Sequence, residues 1–67
     1  MTIQLNGLHV EIPENIRNVD DLLKHYQLEN RIVIIELNNE IADKSKYTEL
    51  PIADGDKVEM IHFVGGG

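Results

Sequence analysis

Cysteine is absent from the 67 residues, so neither a disulfide framework nor a cysteine metal site can form. A small chain without cysteine fits a reducing compartment. Basic side chains are also scarce. Six Lys and Arg against twelve Asp and Glu leave a net charge of -6, and such a surface repels phosphate backbones. The bases are scattered at Arg17, Lys24, Arg31, Lys44, Lys46 and Lys57, without the basic stripe that nucleic-acid binding needs. Long apolar runs are missing as well. The longest, Ile32 to Ile35, falls far short of the roughly 20 residues that span a bilayer. Met1 to Leu5 lacks the basic n-region of a signal peptide. The expectation is a soluble, cytoplasmic protein with no nucleic-acid or membrane partner. Bulk is lacking too, since a domain near this size buries only about 60% of the surface its unfolded chain exposes. Little wall remains to enclose a substrate, which favours a protein that works at its surface or its ends. The acidity then serves solubility, or steering towards a partner with a basic docking groove.

The residues present form a clear pattern. Ile3 and Leu5 alternate with polar neighbours, Asn6-Gly7 follows, and Leu8, Val10 and Ile12 alternate again. Asn-Gly between alternating apolar runs predicts a hairpin with a type I′ turn, because both residues tolerate positive φ. Pro13 ends the second strand. Val19, Leu22, Leu23 and Tyr26 recur at i, i+3, i+4 and i+7 and predict a helix over about 19–27, with Asn18 as N-cap and Asp20 and Asp21 in its first turn. The β-branched stretch Arg31 to Leu37 predicts a strand in the middle of a sheet. Its alternation sets Val33, Ile35 and Leu37 towards the helix, and Ile32, Ile34 and Glu36 away from it. Asn38-Asn39 turns the chain, Glu40 to Ala42 allow a brief return strand, and 43–50 read as irregular or as one helical turn. Asp54-Gly55-Asp56 marks another turn, and Lys57 to Val64 read as the last strand. One helix can cover only one face of the sheet. The expected architecture is therefore α+β, a β-grasp with a mixed sheet of four to five strands, occupying residues 1–64.

Three of the five glycines occupy positions 65, 66 and 67. They read either as a frayed end or a cloning remnant, or as a working tail. Without a Cβ, such a tail can thread a narrow channel, and three extended residues reach about 10 Å. The α-carboxyl, with a pKa of about 3.3 to 3.7, is ionised at neutral pH and can attack the α-phosphate of ATP. The chain has no G-x-x-x-x-G-K-[ST] loop to cradle that phosphate, so an activating enzyme must be another protein.

From the hairpin around Leu5-Asn6-Gly7, through Val19-Asp20-Asp21-Leu22-Leu23 and Asp54-Gly55-Asp56-Lys57-Val58-Glu59, to Phe63-Val64-Gly65-Gly66-Gly67, the chain resembles the ThiS sulfur carriers of thiamin biosynthesis. These belong to the ubiquitin-like β-grasp carriers. The resemblance implies a cycle in which a ThiF-like enzyme adenylates Gly67 with ATP, and the use of Mg²⁺ belongs to that enzyme. A persulfide donor then converts the adenylate to a thiocarboxylate, and a ThiG-like thiazole synthase accepts the sulfur. It implies a protein co-substrate that binds no cofactor and catalyses nothing itself. Gly65 and Gly66 would thread into the partners. The small subunit of molybdopterin synthase shares this fold, tail and activation with a different acceptor. A covalent protein modifier, with Gly67 joined to a target lysine, and a plain binding module complete the alternatives.

Other candidate sites read more simply as structure. His9, His25 and His62 lack metal-ligand spacing with one another. Asp20-Asp21 suits a helix N-terminus, and Asp54-Gly55-Asp56 suits a turn, better than acid pairs or Mg²⁺ ligands. On the last strand, Val58 and Met60 facing the helix would leave Ile61 and Phe63 on the open sheet face, with Ile32 and Ile34 beside them. That group reads either as a partner-docking patch or as packing beneath the segment around Tyr47 and Leu50.

Overall fold

The computed structural model describes residues 1–62. The hairpin forms as its turn chemistry dictates. Strands β1 (Thr2–Leu5) and β2 (Leu8–Glu11) pair antiparallel, and Asn6 and Gly7 take φ of 49° and 84°, the left-handed pair of a type I′ turn. The Met1 and Ile12 backbones extend the ladder by one exchange, Ile12 N–H donating to the Met1 carbonyl at 2.8 Å and the N-terminal ammonium to that of Ile12 at 3.0 Å.

Helix α1 (Val19–His25) starts at Asn18, whose side chain accepts from Asp21 N–H at 2.7 Å. It ends two residues before the apolar period suggests. Leu28 N–H donates to the Leu23 carbonyl at 2.8 Å and Gln27 N–H to that of Lys24 at 3.0 Å, with Gln27 at φ 59°. That is a Schellman stop, with glutamine in the place glycine usually takes. Tyr26, expected on the buried face, consequently becomes the C-cap and is 37% exposed. The acids of the first turn serve the helix as expected: Asp20 pairs with Lys24 at 2.9 Å, and Asp21 accepts from Arg17 N–H at 3.1 Å.

Strand β3 (Val33–Leu37), the short β4 (Glu40–Ile41), a 3-10 helix (Lys44–Glu49) and β5 (Lys57–His62) complete the chain. β3 begins later than the apolar run, because Arg31 N–H closes a turn onto the Leu28 carbonyl at 3.0 Å. The expected end of β5 at Phe63 and Val64 lies outside the described residues. Strand order is β2-β1-β5-β3-β4. The hairpin arm β1 is parallel to β5, and β3 is antiparallel to β5. Strands β2 and β3, joined through α1, therefore run parallel to each other with the other two between them. This is the ubiquitin-like β-grasp.

The core lies between the sheet and α1. Ile3, Val19, Leu22, Ile35 and Val58 are fully buried, with Ile12, Ile16, Leu23, Tyr47 and Ile52 around them. The segment around Tyr47 and Leu50 closes the helix side of this core. Val19 N–H donates to the Leu50 carbonyl at 3.0 Å, and Ile52 N–H to that of Arg17 at 2.9 Å. It therefore does not supply the cover over the open face that the packing alternative required.

Candidate functional site

Strand β5 leads the chain towards Gly65, Gly66 and Gly67, and the fold holds it from both sides. Towards β1, Gln4 N–H donates to the Asp56 carbonyl and Asn6 N–H to that of Val58, each at 2.9 Å. Where β1 has already turned away, the Asn6 side chain continues its work by accepting from Met60 N–H at 2.7 Å. Towards β3, Asn38 N–H donates to the Lys57 carbonyl at 2.7 Å, and Lys57 N–H donates back to Asn38 Oδ1 at 3.0 Å. The turn before β5 is tied down by its acids. Asp54 accepts from Thr2 N–H at 2.7 Å, Asp56 accepts from Ala53 N–H at 2.8 Å, and Gly55 sits at φ 87°. These acids do the turn duty expected of them. The last described strand is thereby fixed within the sheet.

Alternation sorts the side chains of β5 between the two faces. Val58 is fully buried and Met60 packs against the core on the helix side. Lys57, Glu59 and Ile61 project from the other face. Register then builds that face row by row, because directly opposed residues share a face. Ile61 stands opposite Ile34, and Glu59 opposite Glu36. Glu36 in turn stands opposite Ile41 on β4. Ile34 is 38% exposed, Ile61 47%, and Ile32 and Ile41 75% each. Ile32 sits one residue ahead of β3.

The structure thus brings Ile34 and Ile61 together and leaves Ile32 in the open beside them, while Phe63, Gly65, Gly66 and Gly67 lie outside the described residues. Ile41 and the Glu36–Glu59 pair were missed from sequence. Alternation alone gives the face of each residue, and only the register shows which residues meet across strands. The hairpin half of the open face is polar by contrast. Gln4 faces His9 and Thr2 faces Glu11, with the Thr2 hydroxyl donating to the Glu11 carboxylate.

Two cavities are present among the described residues, both away from the open isoleucines of β3 and β5. A cavity of about 160 Å³ lies between α1 and the 3-10 helix, lined by Leu23, Val33 and Tyr47 among others, and a more open one of about 230 Å³ lies along β4. Among the described residues, no three of His, Cys, Asp and Glu are grouped as a metal would need. Nor, among them, is any helix long and apolar enough to cross a membrane. Shifted titrations fall elsewhere. The Asp20 hydrogen bond raises Lys24, bonds from Ser45 lower Asp43, and burial raises Tyr47.

Comparison with known proteins gives one consistent answer. The ThiS family model matches residues 3–67. The sulfur carrier protein ThiS of Bacillus subtilis is 49% identical over 65 residues, which cover 97% of this chain and 98% of that protein. A thiazole synthase of Paramagnetospirillum magneticum is 43% identical over all 67 residues, but these make up only 20% of the synthase. Among solved structures, the thiamine biosynthesis protein (ThiS) from Geobacter metallireducens superposes with a TM-score of 0.83 at 30% identity, over the whole of both chains. With a family match over nearly all its length and the same fold, the chain belongs to the ThiS family.

Proposed function

We propose that this chain is the sulfur carrier of thiazole formation in thiamin biosynthesis, with the carboxylate of Gly67 as its reactive group. The observation that carries the reading is the family match, which runs to residue 67 and so takes in Gly65-Gly66-Gly67. The cycle begins when that carboxylate attacks the α-phosphorus of ATP on a ThiF-like partner, which supplies the Mg²⁺ and the phosphate cradle, and pyrophosphate leaves. The terminal sulfur of a persulfide donor then attacks the acyl-adenylate and AMP leaves. A thiol cleaves the resulting S–S bond, releasing the thiocarboxylate and forming a new disulfide. A ThiG-like synthase takes up the sulfur in exchange for an oxygen supplied by its substrate or water, and the carrier returns with its carboxylate. The carrier is thus a co-substrate, and catalysis belongs to its partners. A thiazole synthase that includes a segment like this chain supports a thiazole acceptor over a molybdopterin one. We place this chemistry in the cytoplasm, where ATP and reduced thiols coexist.

The domain expected from the sequence, residues 1–64, serves to present the tail of 65–67. Gly65 and Gly66 add no side chain that a narrow active-site channel would have to admit. Ile32, Ile34 and Ile61 of the open face serve as the docking patch, to which Phe63 is assigned from the alternation of the sequence alone.

Intact mass tests the reading. After incubation with the activating enzyme, ATP and a sulfur source, the chain gains one sulfur in exchange for one oxygen. Deleting Gly67, or adding a residue after it, abolishes the gain and leaves the fold intact. An unchanged mass beside an active adenylating enzyme defeats the proposal.

A further inference from the structure

The open face contains a pair that the folding of this chain leaves uncompensated. Glu36 and Glu59 stand directly opposite each other on neighbouring strands and are both half-buried. Like charges in that position destabilise a sheet. Among the described residues the one ion pair is Lys24–Asp20, and the lysine that shares their face, Lys57, gives its ammonium to Asn39 Oδ1 at 3.2 Å instead. Exposed isoleucines flank the pair, Ile34 and Ile61 in the next row and Ile41 in the same one. Two carboxylates set among apolar side chains describe the counterpart of a cation presented on an apolar surface.

Resting on the carrier reading, we propose that Glu36 and Glu59 together receive an arginine of the adenylating partner, seated between the isoleucines. Arginine fits best, since its planar guanidinium presents five donors and can bridge two carboxylates at once. The adenylating partner is the occupant because of charge. A chain of net charge -6 must be brought against ATP, itself a polyanion, so the surface that joins them has to be cationic. Position agrees, for Glu59 and Ile61 lie on β5, the strand that precedes Gly65-Gly66-Gly67 in the sequence. The two charges that burden the isolated fold become the recognition element of the complex.

The test uses Glu36→Gln, Glu59→Gln and the double variant of the full chain, with pyrophosphate release by the adenylating enzyme as readout. The double variant is expected to raise KM for the carrier on the order of tenfold, the loss of one charge-assisted contact, with kcat unchanged. Its kcat/KM should also depend less on salt than that of the wild type, and its melting temperature without partner should rise. An unchanged KM, or a lower melting temperature, overturns the proposal. So does a defect confined to sulfur delivery from preformed thiocarboxylate, which would assign the pair to the synthase. Failure of the carrier reading looks different, because the wild-type chain itself would then gain no sulfur.

Discussion

The two faces of the sheet are built from the same strands and do opposite work. On the helix side, Ile3, Ile35 and Val58 have no solvent exposure at all. One residue along each of β3 and β5, Ile34 and Glu59 face away from the helix. Strict alternation therefore lets five short strands carry a core on one side and an exposed face of isoleucines and carboxylates on the other. Each face can be altered without rewriting the other. For a chain of 67 residues this economy matters, because so small a domain has little structure to spare for separate elements.

Neighbouring isoleucines give the sharpest way to break the comparison. Ile35→Ala removes a fully buried side chain and should cost about 2–5 kcal/mol, a large part of the stability of a domain this small. Ile34→Ala, at a position already 38% exposed, should cost about 1 kcal/mol or less. Chemical denaturation of the pair measures both. Equal losses would mean that the open face also belongs to the core.

The next largest effect belongs to the open face alone. Ile61→Ala should reduce affinity for the adenylating enzyme about tenfold, as expected when an apolar anchor of a docking patch is truncated, while the melting temperature stays close to wild type. Calorimetric titration against that enzyme measures the first and thermal denaturation the second. An affinity that does not move would leave the isoleucines of this face without a role in docking.

Third in size is the cap of the helix that covers the sheet. Asn18→Ala removes the acceptor for Asp21 N–H and a 3.2 Å bond from its amide to the Thr48 carbonyl, so about 1 kcal/mol should be lost. Because the cap acts on the covered face, adenylation kinetics at a temperature where the variant is folded should match the wild type. A kinetic defect there would show that the faces are coupled.

Much of this division is legible in the sequence, and the limits of legibility have physical causes. Asn6-Gly7 announces its hairpin and Asn18 its cap, because both act through local backbone geometry. Alternation places Val33, Ile35 and Leu37 towards the helix and Ile34 away from it, as observed. The end of α1 is not legible, because its stop uses Gln27, a residue that gives no sign of adopting positive φ. The meeting of Glu36 with Glu59, and of Glu36 with Ile41, depends on register between strands far apart in sequence. Nothing local specifies it, and it emerges only when the core fixes how the strands align. The family is legible for another reason: its motifs are read from composition and position, not geometry.

The smallest expected effect concerns the 3-10 helix that brings Tyr47 into the covered face. Asp43 caps it, accepting from Ser45 N–H at 3.0 Å and from the Ser45 hydroxyl at 2.9 Å. These bonds, the backbone one first, hold its carboxyl below the usual aspartate range. A carboxyl lowered in the folded state binds its proton less readily there than in the unfolded chain. Its stabilising contribution is therefore complete well above the unfolded pKa, and it is lost as pH falls through the folded one. The site is fully exposed to water, so the contribution is small and screened. Asp43→Ala should melt slightly below wild type at neutral pH, and the gap should narrow as pH falls below about 4, the ordinary aspartate pKa. Melting curves of both proteins across that range decide the point. A gap that stays constant would show that the cap works by the shape of the turn and not by its charge.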